Sequence, residues 1–146
     1  MASVLLIGDI GGTNARFALA GSKRPGFSKE LVFRCADYAS ADAAIRQYLK
    51  EVGVGKPDVI CLAAAGPIVE QRVRFTNNPW RIAAAELVDL FDISKVRLLN
   101  DFEAIAYSVP FLEKEARALS RYAAGMRKRF TRYDKENLIS AMSRPR

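Results

Sequence analysis

Leu5-Leu6-Ile7-Gly8-Asp9-Ile10-Gly11-Gly12-Thr13-Asn14-Ala15-Arg16-Phe17-Ala18-Leu19 decides how this chain is read. An apolar, β-prone run reaches Gly8 and another starts at Ala15, so the segment predicts two strands joined by a turn. Gly-Gly-Thr-Asn suits a tight hairpin whose glycines tolerate a positive φ. The same residues suit a metal-bound polyphosphate. Backbone N–H groups can approach phosphate oxygens where no side chain intervenes, Thr13 adds a hydroxyl, and Asp9 can face Mg²⁺ through water. A plain hairpin, whose glycines serve the turn alone, accounts for the local spacing equally well.

Outward from that stretch, the chain alternates strand and helix signals. Val4–Ile10 and Ala15–Ala20 form the hairpin, residues 21–26 (Gly-Ser-Lys-Arg-Pro-Gly) a loop, and Lys29–Arg34 a third strand. Ser40 can cap a helix in which Ala41, Ala44, Ile45, Tyr48, Leu49 and Val52 follow at helical spacing, with Gly53 as its stop. Asp58–Ala65 is a short, nearly continuous apolar run, as in a central strand covered on both faces. It ends at Gly66-Pro67. Arg72–Phe75 predicts a small strand before the polar turn Thr76-Asn77-Asn78-Pro79-Trp80. Ala83–Phe91 reads as a helix, Lys95–Leu99 as a strand and Phe102–Tyr107 as the start of another helix. A meander followed by crossovers implies an α/β fold with a mixed sheet and flanking helices.

Composition narrows the chemistry. The length of 146 residues suits one domain with a real core. No apolar run approaches the roughly 20 residues of a membrane span, and no signal-peptide pattern precedes the first strand, so a cytoplasmic protein is expected. Cys35 and Cys61 do not form a CxxC pair and read as buried reduced thiols. Histidine is absent from the sequence. Ser-His-Asp, Cys-His and His-metal chemistry are thereby excluded, and carboxylates remain as general bases.

Ligands of open α/β sheets collect beyond the carboxyl ends of strands. Asn100-Asp101 falls at such an end. Taken alone, it reads first as a helix cap and second as a catalytic carboxylate.

Four blocks together resemble a known family. Gly8-Asp9-Ile10-Gly11-Gly12-Thr13-Asn14-Ala15-Arg16 is similar to the phosphate-loop signature of bacterial glucokinases, in the sugar kinase, hexokinase and actin superfamily. Ala64-Ala65-Gly66-Pro67-Ile68, Phe75-Thr76-Asn77-Asn78-Pro79-Trp80 and Leu99-Asn100-Asp101-Phe102-Glu103-Ala104 continue the resemblance in family order, over roughly residues 3–112. The resemblance implies a ribonuclease-H-like (actin-like ATPase) small lobe. It further implies that Gly8, Asp9, Ile10, Gly11, Gly12 and Thr13 hold ATP phosphates, with Asp9 near Mg²⁺. Asn77, Asn100 and Asp101 would bind glucose or a related hexose, and Asp101 would accept the proton of the 6-hydroxyl. Phosphoryl transfer needs positioning, charge neutralisation and a proton acceptor, and this set supplies them.

The family has two lobes with the active site between them, and the chain resembles the smaller one. The second phosphate segment, the adenosine pocket and the further sugar-gripping Glu and His residues belong to the larger lobe, and none is found after Leu112. Charge changes there as well. Residues 1–112 carry 13 Lys+Arg against 12 Asp+Glu, whereas residues 113–146 carry 10 against 4. The expected organisation is a small lobe over 1–112 and a basic, helical tail over 113–146. The tail reads as a solvated helix face before it reads as a nucleic-acid binder. Two functions stay open: a glucokinase-type kinase, weak or inactive as a partial chain, and a non-catalytic lobe that binds nucleotide weakly or joins a partner. An open cleft face also predicts a homodimer or a complementing lobe.

Overall fold

In a computed structural model of the chain, residues 3–21 and 26–108 are described. They form β1 (Val4–Ile10), β2 (Asn14–Gly21), β3 (Phe27–Arg34), α1 (Ala41–Val52), β4 (Val59–Ala64), β5 (Ile68–Val69), β6 (Arg72–Arg74), β7 (Arg81–Ala83), α2 (Ala84–Phe91), β8 (Lys95–Asn100) and α3 (Asp101–Ser108). One compact unit runs from Met1 to Asp101 and a second begins at Phe102. Most of the second unit, including the expected tail over 113–146, lies outside the described residues.

The main sheet has five strands in the order β3-β2-β1-β4-β8. Its first three strands are antiparallel, because short connections reverse the chain, and β4 and β8 run parallel to β1, because helices carry the chain back. The central position of β1 follows from its sequence. Leu6 and Ile10 are fully buried on one face, while Leu5 and Ile7 are half-buried on the other. Such two-sided apolarity needs a neighbour along each edge.

Helices α1 and α2 cover the face that carries Leu6 and Ile10. Ala44, Ile45, Tyr48 and Leu49 of α1, and Leu87 and Phe91 of α2, join Phe17, Phe33, Ile60, Leu62 and Leu98 in one core. The Tyr48 ring lies 5.6 Å from Phe17, and its hydroxyl donates to Lys29 O at 3.0 Å, so this polar tip is satisfied. Ser40 Oγ accepts from Ala43 N and Gly53 stops α1 in the left-handed region at φ 69°, as the sequence predicts.

Two departures from the sequence reading have physical causes. Strand β3 begins at Phe27, ahead of the expected Lys29, because Lys29 adopts φ 54° and the register slips between Phe17 and Leu19. Tertiary contacts hold that unfavoured conformation, with Lys29 Nζ donating to Val52 O at 2.7 Å. The single strand expected at Arg72–Phe75 is the middle of a separate three-stranded sheet, β5-β6-β7. Its partners of two and three residues are too short to show a period of two. The β5–β6 turn uses Glu70 and Gln71 at φ 50° and 56°, without glycine. There the Gln71 amide accepts from Leu98 N at 2.8 Å and donates to Leu98 O at 3.2 Å, acting as a one-residue strand on the outer edge of β8. Among the described residues no helix is long and apolar enough to cross a membrane.

Candidate functional site

The parallel ladders align the carboxyl ends of three strands. Ile10 of β1 is paired with Ala64 of β4, and Ala64 with Asn100 of β8. Two strand spacings make the separation of the outer two backbones about 10 Å. Asp9 lies one residue inside this row and Asp101 one residue beyond it, at the first position of α3. The register therefore brings the first turn and Asn100-Asp101 to one edge. Asp9 is exposed and Asp101 half-buried.

The turn Gly11-Gly12-Thr13 closes with Gly11 N donating to Asn14 O at 2.9 Å. Two of its three carbonyl groups are held toward the protein. Thr13 O accepts from Cys35 N at 2.8 Å, and Gly11 O accepts from Asn78 Nδ2 at 3.4 Å and faces Cys35 Sγ at 3.7 Å. Among the described residues, no backbone carbonyl accepts from the N–H of Gly12 or Thr13. A turn with the carbonyls of Gly11 and Thr13 drawn inward and the N–H groups of Gly12 and Thr13 left over offers donors suited to an anion.

The expected positive φ is not found here: neither Gly11 nor Gly12 is left-handed. Gly12 is required for a different reason. A Cβ there would lie 3.0 Å from Asn77 Cβ, tighter than ordinary contact, so the bare Cα lets the turn sit directly against Asn77. The same residue leaves its N–H approachable. Gly8 is likewise a packing glycine, its missing Cβ directed at Leu62 and Phe17, and the Ile10 side chain is fully buried. Either could meet a phosphate only through its backbone.

The other blocks are fastened to the same edge. Ala65 N donates to Ile10 O at 3.0 Å, and Asn100 Nδ2 donates to Gly66 O at 2.8 Å, which fixes the plane of the Asn100 amide. Asn77 is exposed beside the turn, whereas Asn78 is buried. Asn78 Oδ1 accepts from Trp80 N at 2.7 Å, and Trp80 Nε1 donates to Tyr38 O at 3.0 Å.

The structure thus gathers Asp9, Gly11, Gly12, Thr13, Asn77, Asn100 and Asp101 along one edge and assigns the side-chain positions of Gly8 and Ile10 to the core. Cys35, Gln71 and Asn78 were not among the candidate site residues; of the two thiols expected to be buried, Cys35 is and Cys61 is only half-buried. A readable signal existed for Asn78, since Asn-Pro-X favours a turn in which the Asn oxygen accepts from the N–H two residues on. The burial that pushes the Cys35 thiol above its ordinary pKa keeps it a neutral hydrogen-bond donor toward Gly11.

Comparison with known proteins gives a consistent picture. A family model described as glucokinase matches residues 6–129. The glucokinase of Chromohalobacter salexigens is 46% identical over 105 residues, covering 72% of this chain and 33% of that protein. A crystal structure of glucokinase from an Antarctic psychrotroph superposes with a TM-score of 0.71 at 37% identity, covering 77% of this chain and 37% of the other. Glucokinase from Balamuthia mandrillaris, solved in complex with glucose, gives a TM-score of 0.56 at 28% identity, over 74% of this chain and 32% of the other. The chain spans about a third of the length of the curated relatives it matches.

Proposed function

The chain belongs to the glucokinase family, and from that premise we propose that it carries the phosphate-turn and proton-acceptor half of an ATP-dependent kinase acting on the 6-hydroxyl of glucose, in the cytoplasm. The ladder row Ile10–Ala64–Asn100 carries this reading, because it brings the anion-suited turn and the Asn100-Asp101 carboxylate to one strand edge. Glucose in the Balamuthia relative supports the hexose assignment.

Each role follows from what a residue can offer. The N–H groups of Gly12 and Thr13, with the Thr13 hydroxyl, would hold phosphate oxygens. Asn77 and Asn100 would hydrogen-bond sugar hydroxyls, and Asp101 would take the proton of the attacking 6-hydroxyl. Among the described residues no three His, Cys, Asp or Glu side chains gather as a protein cage for a metal. Exposed Asp9 fits the alternative mode, in which Mg²⁺ keeps its waters and phosphate ligands and is held by one carboxylate. When bound, Mg²⁺ supplies neutralisation of charge on the transferring phosphoryl group.

Turnover by the 146-residue chain alone is expected to be low. One edge of a cleft buries little of either ligand and excludes little water. A coupled assay of glucose-dependent ATP consumption tests the proposal. The chain alone should stay near background, and turnover should appear once a complementing lobe is supplied. In that complemented system Asp101→Asn should lower turnover by about 10²–10⁴-fold while glucose binding persists. Rapid turnover by the chain alone would overturn the half-site reading, and turnover indifferent to Asp101→Asn would remove the carboxylate from its role.

A further inference from the structure

Among the described residues, Asn78 is the only Asn, Gln, Ser, Thr or charged side chain that is buried, at 6% exposure. Burying a primary amide is unfavourable unless both its ends find partners. Here both do, and the partners close a ring. From Gly11 O the path runs to Asn78 Nδ2, from Asn78 Oδ1 to Trp80 N, and from Trp80 Nε1 to Tyr38 O. Tyr38 N then donates to Cys35 O at 3.2 Å, and Cys35 N returns to the turn at Thr13 O. Cys35 and Trp80 are 3% and 1% exposed, so water does not replace these links.

The ring acts on the orientation of the turn. A peptide group that points its carbonyl inward points its N–H outward, so whatever holds Gly11 O fixes the N–H of Gly12. Two side chains reach Gly11 O, and the Cys35 thiol is the weaker donor. No apolar residue at 78 could serve both Gly11 O and Trp80 N. A carboxylate would keep the acceptor for Trp80 N but lose the donor to Gly11 O and place negative charge beside an anion site. The amide is the group that fits.

We propose that Asn78 is a positioning residue. It holds the first turn in its anion-accepting orientation and ties that turn to the segment bearing Asn77, so that phosphate bound at one is felt at the other. This rests on the phosphate role proposed above for Gly12 and Thr13.

The test is an NMR titration of the 146-residue chain with Mg²⁺ and inorganic tripolyphosphate. Backbone amides of Gly12 and Thr13, the Asn78 side-chain amide and the indole N–H of Trp80, the sole tryptophan, are followed together. All four should shift with one half-saturation concentration. In Asn78→Asp that concentration should rise about tenfold and the Trp80 response should vanish. Responding Gly12 and Thr13 with silent Asn78 and Trp80, or an Asn78→Asp variant that binds like wild type, would overturn the positioning role and leave the phosphate site standing. Silent Gly12 and Thr13 would overturn the phosphate reading and this inference with it. Should Asn78→Asp fail to fold, the Asn78 side-chain resonances of the wild type decide, since a residue that merely fills space has no reason to titrate with the turn.

Discussion

Replacing Gly8 by alanine separates a packing requirement from a phosphate requirement within the same signature. A Cβ at this position would lie 2.7 Å from Leu62 Cδ2 and 2.9 Å from Phe17 Cδ1. Carbon pairs settle at about 3.5–4.0 Å, so each neighbour would have to retreat by about 1 Å. Neither has room to do so. Leu62 and Phe17 are fully buried, and the Phe17 ring is backed by Phe33 at 5.9 Å and Tyr48 at 5.6 Å. The backbone cannot withdraw either, because Gly8 is paired with Phe17 on one side and Leu62 on the other. Overpacking of this kind costs about 1–3 kcal/mol. Urea unfolding followed by Trp80 emission measures it. With a slope of about 1–3 kcal/mol per molar urea for a domain of this size, a loss of about 2 kcal/mol lowers the midpoint by about 1 M. Gly21→Ala is the control, since a Cβ there meets nothing within 4 Å. It carries the same unfolded-chain entropy change and should leave the midpoint unchanged or slightly higher. A Gly8→Ala midpoint within about 0.2 M of wild type would refute the packing argument and leave ligand approach as the reason for glycine.

Three further outcomes are expected. Gln71→Ala strips Leu98 of a donor and an acceptor and should cost about 1–2 kcal/mol, with faster hydrogen exchange at the Leu98 amide; unchanged protection there would show that the β8 edge is shielded by something else. Ser40→Ala removes the N-cap of α1 and should cost about 0.5–1 kcal/mol in thermal melts, with Ser40→Asp restoring most of it; identical melting of Ser40→Ala and wild type would discount the cap. Burial raises Cys35 above its ordinary 9.0 and Tyr48 above its ordinary 10.0, so the unfolded chain releases these protons first. Stability from this source is complete below about pH 8 and falls as pH climbs through 9 and beyond, and a urea midpoint that rises over that range would contradict the assignment.

The main sheet was legible because its strands bury one or both faces and so write their period into the sequence. Leu6, Ile10, Ile60, Leu62, Val96 and Leu98 occupy the positions that alternation assigns to the core. Capping at Ser40 and Gly53 was equally local and equally readable. What escaped depends on contacts between distant residues. Lys29 takes a left-handed φ because Val52 O and the Tyr48 hydroxyl hold it, and Gln71 finds Leu98 across the fold. The glycine turn shows the same division. Its location was written in composition, but the reason for Gly12 is the nearness of Asn77, which no local pattern discloses. At the candidate site the order of the blocks was visible, whereas the hydrogen-bond ring through Asn78, Trp80, Tyr38 and Cys35 required the fold.

The place of β1 in the middle of the sheet has a consequence for biogenesis. It is synthesised before either of the strands that flank it, and its two edges are satisfied at different times. The β2 edge is met as soon as Leu5 can reach Ala20, whereas the β4 edge must wait for Val59–Ala64. At about 5–20 residues per second, the chain between Gly21 and Ala64 takes roughly 2–9 s to emerge. For that interval the future centre of the sheet is an outer strand, apolar on both faces and without a charge between Val4 and Gly8 to deter pairing with another nascent chain. The capped helix α1 lies within the intervening segment and shortens the loop that must close. Its cap therefore bears on the yield of soluble protein as well as on equilibrium stability, and weakening it should show first as aggregation during expression.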